Sequence, residues 1–220
     1  MVRTLEPGQC CEVWTASVTG ESSLVFRTED MLLEAPNWTL DGRELILNGN
    51  GKLWRFDLLA GALREIPITG VPDLNNDHVL DPDGSGIFLS GEDGHIYRAM
   101  LAGGDATRIT DDDGSFHFLH GVSPDGGRLA YVDIAAGDFT RPGRLRTIAS
   151  GGGPPEKVEV GQGHCDGPEY SPDGIWLYLN TESFTTAPRP RPTGPGPPGR
   201  QPVRASGGQR NGRLVPAPLP

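Results

Sequence analysis

The sequence predicts an all-β fold: a β-propeller of about three and a half four-stranded blades, an incomplete ring. Three observations carry this reading. A tight-turn tetrapeptide recurs as TLDG at 39–42, DPDG at 81–84, and SPDG at 123–126 and 171–174. Its Asp falls at Asp41, Asp83, Asp125 and Asp173, at spacings of 42, 42 and 48 residues. A second landmark interleaves with it. Trp14, Trp54, Tyr97 and Arg146, each after an aliphatic residue, precede the next turn Asp by 27, 29, 28 and 27 residues. Finally, no segment keeps a helical period of 3.6, whereas short runs alternate apolar and polar residues as half-buried strands do.

Each cycle reads as four short strands. In the first, APNW enters the Asp41-Gly42 turn and ELILNG leaves it, and Asp-Gly between extended segments favours a hairpin because Gly accepts positive φ. KLWRFDL is the third strand and LREIPI the fourth. The scheme repeats, which places blades at about 31–68, 75–110 and 117–160 and a half blade at 165–183. The excursion AAGDFTRPG in the third cycle explains the longer spacing. The opening stretch at 12–28 matches the outer two strands of a blade, so the propeller body spans 9–183. The open blade edges this leaves predict low stability or self-association.

NWTLDGRELIL, SPDGGRLAYV and EYSPDGIWLYL resemble the WD-like, Pro-Asp-Gly repeats of TolB-type propellers. The resemblance implies a six-bladed ring. It also implies a choice of roles, since some relatives bind a protein partner and others accompany hydrolase domains. It names no single activity.

Charge narrows the partners. The formal net charge is -10, but Ala187–Pro220 contains six Arg and no acid, leaving 13 basic and 29 acidic groups in residues 1–186. A body of net -16 argues against nucleic acid, whose binding rests on cationic contacts. No apolar run approaches the roughly 18 residues of a membrane span. No secretory leader is visible at the start, so the reading is cytoplasmic, or periplasmic if the true start lies upstream. Three cysteines, two of them adjacent, do not form a disulfide framework.

After Thr186 the composition changes abruptly, to ten Pro, six Gly and six Arg in 34 residues. Residues 187–220 read as a disordered tail. The break falls in the middle of a strand pattern, and the codons implied are GC-rich, so the tail is expected to be out-of-frame translation of a truncated gene. Resequencing and a mass spectrum of the tail decide between the two.

The candidate site is the central channel, which first strands of blades line. His78 and His120 each lie five residues before their turn Asp, where Pro36 and Pro168 stand in the other blades. Asn75, Asn76 and Asp77 adjoin His78, and His164 and Asp166 precede Pro168. Such a set suits a small polar ligand, a sugar or a peptide end. No catalytic residue and no cofactor is assigned, and His78, His120 and His164 are the only metal candidates. The function expected is a non-catalytic binding or protein-interaction scaffold with an unknown partner. The alternative is a propeller enzyme with a channel His/metal site, such as an oligouronate lyase. Cys165 beside His164 reads as a small packing residue, and Trp14, Trp54 and Tyr97 as interblade packing.

Overall fold

The computed structural model describes residues 2–160, 164–182 and 211–216. Every element is extended. A hairpin of β1 (Cys11–Ala16) and β2 (Ser22–Thr28) comes first. The first blade follows as β3 (Leu33–Trp38), β4 (Glu44–Gly49), β5 (Lys52–Asp57) and β6 (Ala62–Glu65), all antiparallel neighbours. After the short β7 (Ile68–Thr69), the second blade contains β8 (Leu74–Leu80), β9 (Gly86–Gly91) and β10 (Ile96–Met100). Its chain then runs through β11 (Gly104–Asp105), parallel to β7, to the outer strand β12 (Thr107–Arg108). The third blade is β13 (Ser115–Val122), β14 (Arg128–Ala135), β15 (Arg144–Ala149) and β16 (Glu156–Lys157). The last sheet is β17 (His164–Tyr170), β18 (Trp176–Glu182) and β19 (Asn211–Pro216).

The first strand of each blade is an edge strand, and these edges meet in order: β8 touches β3 on one side and β13 on the other, and β13 touches β17. Successive sheets whose inner edges adjoin in sequence order are blades set around an axis. This is the incomplete β-propeller the repeat predicts.

The turn repeat is built by one set of bonds. In the third blade, Ser123 Oγ donates to Asp125 Oδ1 at 2.5 Å, and the same carboxylate oxygen accepts Gly127 N–H at 3.0 Å. Ser123 Oγ in turn accepts Arg128 N–H at 2.9 Å. Thr39-Asp41 and Ser171-Asp173 repeat the pattern. Pro at the second position suits a type I turn, and the Gly that follows sits at φ near +70°. The hydroxyl first, and then the backbone N–H, hold the carboxyls of Asp41, Asp125 and Asp173 below their ordinary range. The second blade solves the same problem differently. Asp81 stands where the hydroxyl should be, so Ser85 donates to Asp83 instead (2.8 Å from its Oγ), and Arg98 neutralises Asp81 at 2.5 Å.

These turns also touch one another. A Cβ at Gly84 would lie 2.8 Å from Leu40 Cδ1, one at Gly126 would lie 3.7 Å from Pro82, and one at Gly174 would lie 3.5 Å from Pro124. Each Gly therefore serves the turn's conformation, and Gly84 also the close approach of the preceding blade.

Between blades the faces are apolar. Ile46, Leu53, Leu74, Ile87, Leu89 and Tyr97 fill the space between the first and second. Phe88, Ile96, Leu119, Leu129, Tyr131 and Ile148 fill that between the second and third. Val132, Leu145, Cys165, Tyr170, Leu177 and Leu179 join the third to the last. The β1–β2 hairpin packs Cys11, Val13 and Phe26 on Leu45, Leu47 and Phe56, as the outer half of a blade would. Tyr97 and Trp54 take up the interblade role expected of them. Trp14 does not: it is 53% exposed, because it lies on the hairpin face opposite Val13.

Asp133 is a buried charge, 1% exposed, and two arginines hold it: Arg144 Nε at 2.6 Å and Arg146 Nε at 2.9 Å. Of the tail segment 187–220 the structure describes only Asn211–Pro216. This is strand β19, paired along β18 from Trp176 to Thr181. The physical reason is the outer edge of β18, whose backbone donors and acceptors a further strand satisfies. The rest of the tail, and with it the expectation of disorder, lies outside the described residues.

Stability should respond to these features in a graded way. A Cβ at Gly42 would have nothing within 4 Å, so Gly42→Ala costs only the positive-φ penalty, about 1 kcal/mol, whereas Gly84→Ala also displaces Leu40 and costs about 2–3 kcal/mol. Urea titration of both variants reads the difference. Asp133→Ala costs about 3 kcal/mol in the same assay, because both guanidinium groups lose their buried partner.

Candidate functional site

Bulges on the inner strands decide which side chains reach the axis. In the third blade Leu119 pairs with Tyr131 and Gly121 with Ala130, so His120 is an extra residue with no partner across the strand. It is displaced towards the axis, where its Nε2 lies 3.1 Å from Asp166 Oδ1 of the last sheet. In the second blade the bulge comes earlier, between Leu74 and His78, and leaves Asn75, Asn76 and Asp77 facing the single residue Ser90. His78 is back in register opposite Leu89.

The two histidines therefore part company, although they stand at the same repeat position. His78 is buried against the Ile46 backbone, and neither ring nitrogen closes a hydrogen bond of normal geometry. Burial pulls its pKa down to about 4. It is not among the residues lining the cavity described below, because the register that returns it to the ladder turns its ring between the blades.

Asp77, His120, His164 and Asp166 do come together. With Asn180 and Thr181 they line a cavity of about 570 Å³, together with the apolar Phe118, Val132 and Ile134. Asn75 acts at one remove. Its Oδ1 accepts the Asp77 N–H at 2.7 Å and its Nδ2 reaches Asp77 Oδ2 at 3.4 Å, so it orients the carboxylate. Its own carbonyl accepts the Asn48 side-chain amide. Asn76 is half-buried in the same bulge and does not line the cavity.

The electrostatics are carboxylate-rich. Burial, opposed by His120 and assisted by Asp166, raises the Asp77 pKa above the ordinary value. Asp166 Oδ1 accepts both the His120 contact and the Gly167 N–H at 2.9 Å. Arg3 is near enough to Asp77 to oppose its rise, but is itself engaged by Glu34 at 2.8 Å. Cys165 lines the cavity with its thiol donating to Gly143 O at 3.2 Å, and burial pushes its pKa up to about 11, so it packs and does not attack. Among the described residues no group of three or more His, Cys, Asp or Glu side chains stands together as a metal site.

Phe118, Asn180 and Thr181 are cavity residues that the sequence alone does not single out. Phe118 was reachable, since it lies two residues from His120 on the same face of a strand. Asn180 and Thr181 come from the second strand of their blade and carry no signal. His117 is a further unanticipated residue. It is buried between blades, its Nδ1 2.9 Å from Gly94 O and its Nε2 3.2 Å from Asp113 Oδ1, with Tyr131 edge-on to the ring.

The geometry has named relatives. The chain is 34% identical over 168 residues to the uncharacterized protein Atu1656 of Agrobacterium fabrum, a match covering 74% of this chain and 55% of that protein. It superposes on the structure of a candidate TolB from Agrobacterium tumefaciens with a TM-score of 0.65 and 33% identity, over 73% of this chain and 57% of the other. The chain carries a TolB-like β-propeller. TolB from Acinetobacter baumannii follows at a TM-score of 0.63 and 19% identity, over 79% and 43% of the two chains, which bears on fold alone. Oligogalacturonate lyase from Vibrio parahaemolyticus shares the fold of this TolB-like propeller at 0.58 and 15%, over 80% and 55%. The chain spans about half the length of the relatives it matches. No protein-family model matches it.

The buried His78 makes a pH prediction. Its folded pKa of about 4 lies below the ordinary 6.5, so the unfolded chain takes up a proton that the folded chain refuses. Stability tied to His78 is complete above pH 6.5 and declines as pH falls towards 4, by about 3 kcal/mol in all. His78→Leu removes the orphaned nitrogens and flattens that part of the slope. Urea midpoints of both proteins at about pH 7, 5.5 and 4.5 measure it, with the wild-type midpoint falling relative to that of His78→Leu as pH drops.

Proposed function

We propose that this TolB-like propeller is a non-catalytic binding scaffold whose ligand enters the cavity of Asp77, His120, His164 and Asp166. The observation that carries the reading is the convergence of polar side chains from three successive blades onto one cavity with an apolar wall. Binding sites of this kind are concave and mostly apolar, with a few placed polar groups. No helix among the described residues is long and apolar enough to cross a membrane.

The lyase alternative is less well supported. His78 stands outside the cavity, which removes one of its three metal candidates. The likeness to the lyase is at 15% identity and bears on the fold.

The test is a ligand screen by NMR on the labelled chain, with lysine-bearing, neutral and uronate compounds. Shifts confined to residues around Phe118, His120 and Asp166, and lost in Phe118→Ala, are the expected outcome. Conversion of an oligouronate to an unsaturated product, abolished by His120→Ala, would replace the scaffold with an enzyme.

A further inference from the structure

We propose that the cavity selects an organic cation, an ammonium or guanidinium group carried on an apolar stem. The inference rests on the reading of that cavity as a ligand site and adds the class of ligand.

Three features of the lining choose among the ligands that His, Asp and Asn side chains serve. First, two carboxylates from different blades, Asp77 and Asp166, face the same space, and the basic side chains nearby are the histidines His120, at 3.1 Å from Asp166, and His164, with Arg3 farther off and already engaged by Glu34. An acidic sugar entering there meets like charge. Second, Asp77 receives one long side-chain hydrogen bond, 3.4 Å from Asn75, among the described residues. A half-buried carboxylate so thinly supplied with donors is well served by an N–H donor that carries charge. Its raised pKa has burial as the largest cause, and an entering cation reverses that cost. Third, the lining also includes Phe118, Val132 and Ile134, a hydrocarbon surface that a bare ion or a polyol does not use. A charged head on a methylene stem matches both kinds of lining, as Lys and Arg side chains do when the stem packs and the head is solvated or paired. The acidic body of the chain, net -16 over residues 1–186, favours the approach of such a ligand.

The probes are Nα-acetyl-lysine methylamide, its uncharged counterpart Nα-acetyl-norleucine methylamide, n-butylamine and digalacturonate, titrated into the full chain by NMR and calorimetry. The lysine derivative is expected to bind at least about 10-fold more tightly than the norleucine derivative, the scale of a charge-assisted hydrogen bond. Asp77→Asn and Asp166→Asn should each weaken it by about the same factor. Asp166 is exposed, so its variant keeps the test valid if Asp77→Asn does not fold. Binding should fall as salt rises and as pH drops through the Asp77 carboxyl. n-Butylamine binding as well as the lysine derivative assigns the site to free amines; weaker binding assigns it to a basic side chain of a peptide. Equal affinity for norleucine, or tighter binding of digalacturonate at the same Phe118-dependent site, overturns the cation assignment and leaves the cavity as a ligand site. Shifts that Phe118→Ala does not alter overturn both.

Discussion

A hydroxyl bonded to a carboxylate across a hairpin is the interaction on which the rest of this structure depends. Ser123 and Asp125, Ser171 and Asp173, and Thr39 and Asp41 each tie the two inner strands of a blade together at one end. The bond draws on the polar atoms the turn offers: the carboxylate caps a backbone N–H beyond the Gly, and the hydroxyl caps the N–H where the second strand begins. A turn held in this way sets the register of the strands it joins, and register decides which side chains face the neighbouring blade. The second blade shows that the constraint is on the bonds and not on the letters. Losing the hydroxyl to Asp81 is compensated by Ser85 and Arg98, and the turn keeps its shape.

From that anchor the blades stack through apolar faces. Ile46, Leu89 and Tyr97 meet across one boundary, Phe88, Leu119 and Tyr131 across the next, and Val132, Cys165 and Leu179 across the third. Polar groups that enter these boundaries are either paired or costly. Asp133 is accommodated because two guanidinium groups reach it. His117 is accommodated by Gly94 and Asp113. His78 has no such support, and its ring remains neutral where an apolar residue would serve.

The cavity is a by-product of irregularity in an otherwise regular repeat. A one-residue bulge puts His120 at the axis, a longer bulge does the same for Asp77, and a third, between Asp166 and Glu169, bends the last inner strand beside them. Where inner strands pass closest, at Gly121, a Cβ would meet Pro168 O at 2.6 Å. The same local disruptions that open the cavity thus lie beside a position that leaves no room for a side chain.

The repeat, its four-strand blades and its turn chemistry were legible in the sequence, because each is local: a tetrapeptide specifies its own hydrogen bonds, and a period of 42 residues counts them. Asp77, His120, His164 and Asp166 were legible as well, by their place just before a turn. The fate of His78 was not, nor were Phe118, Asn180 and Thr181 as cavity residues. His78 and His120 occupy one position in the repeat, and their surroundings differ because the extra residues of each inner strand fall differently around it. Where a strand bulges is settled by the packing of whole sheets against each other, a sum of contacts between residues far apart in the chain. Sequence alone determined the kind of elements and the blades they form; only the assembled blades decided which histidine lines the cavity and which is shut between them.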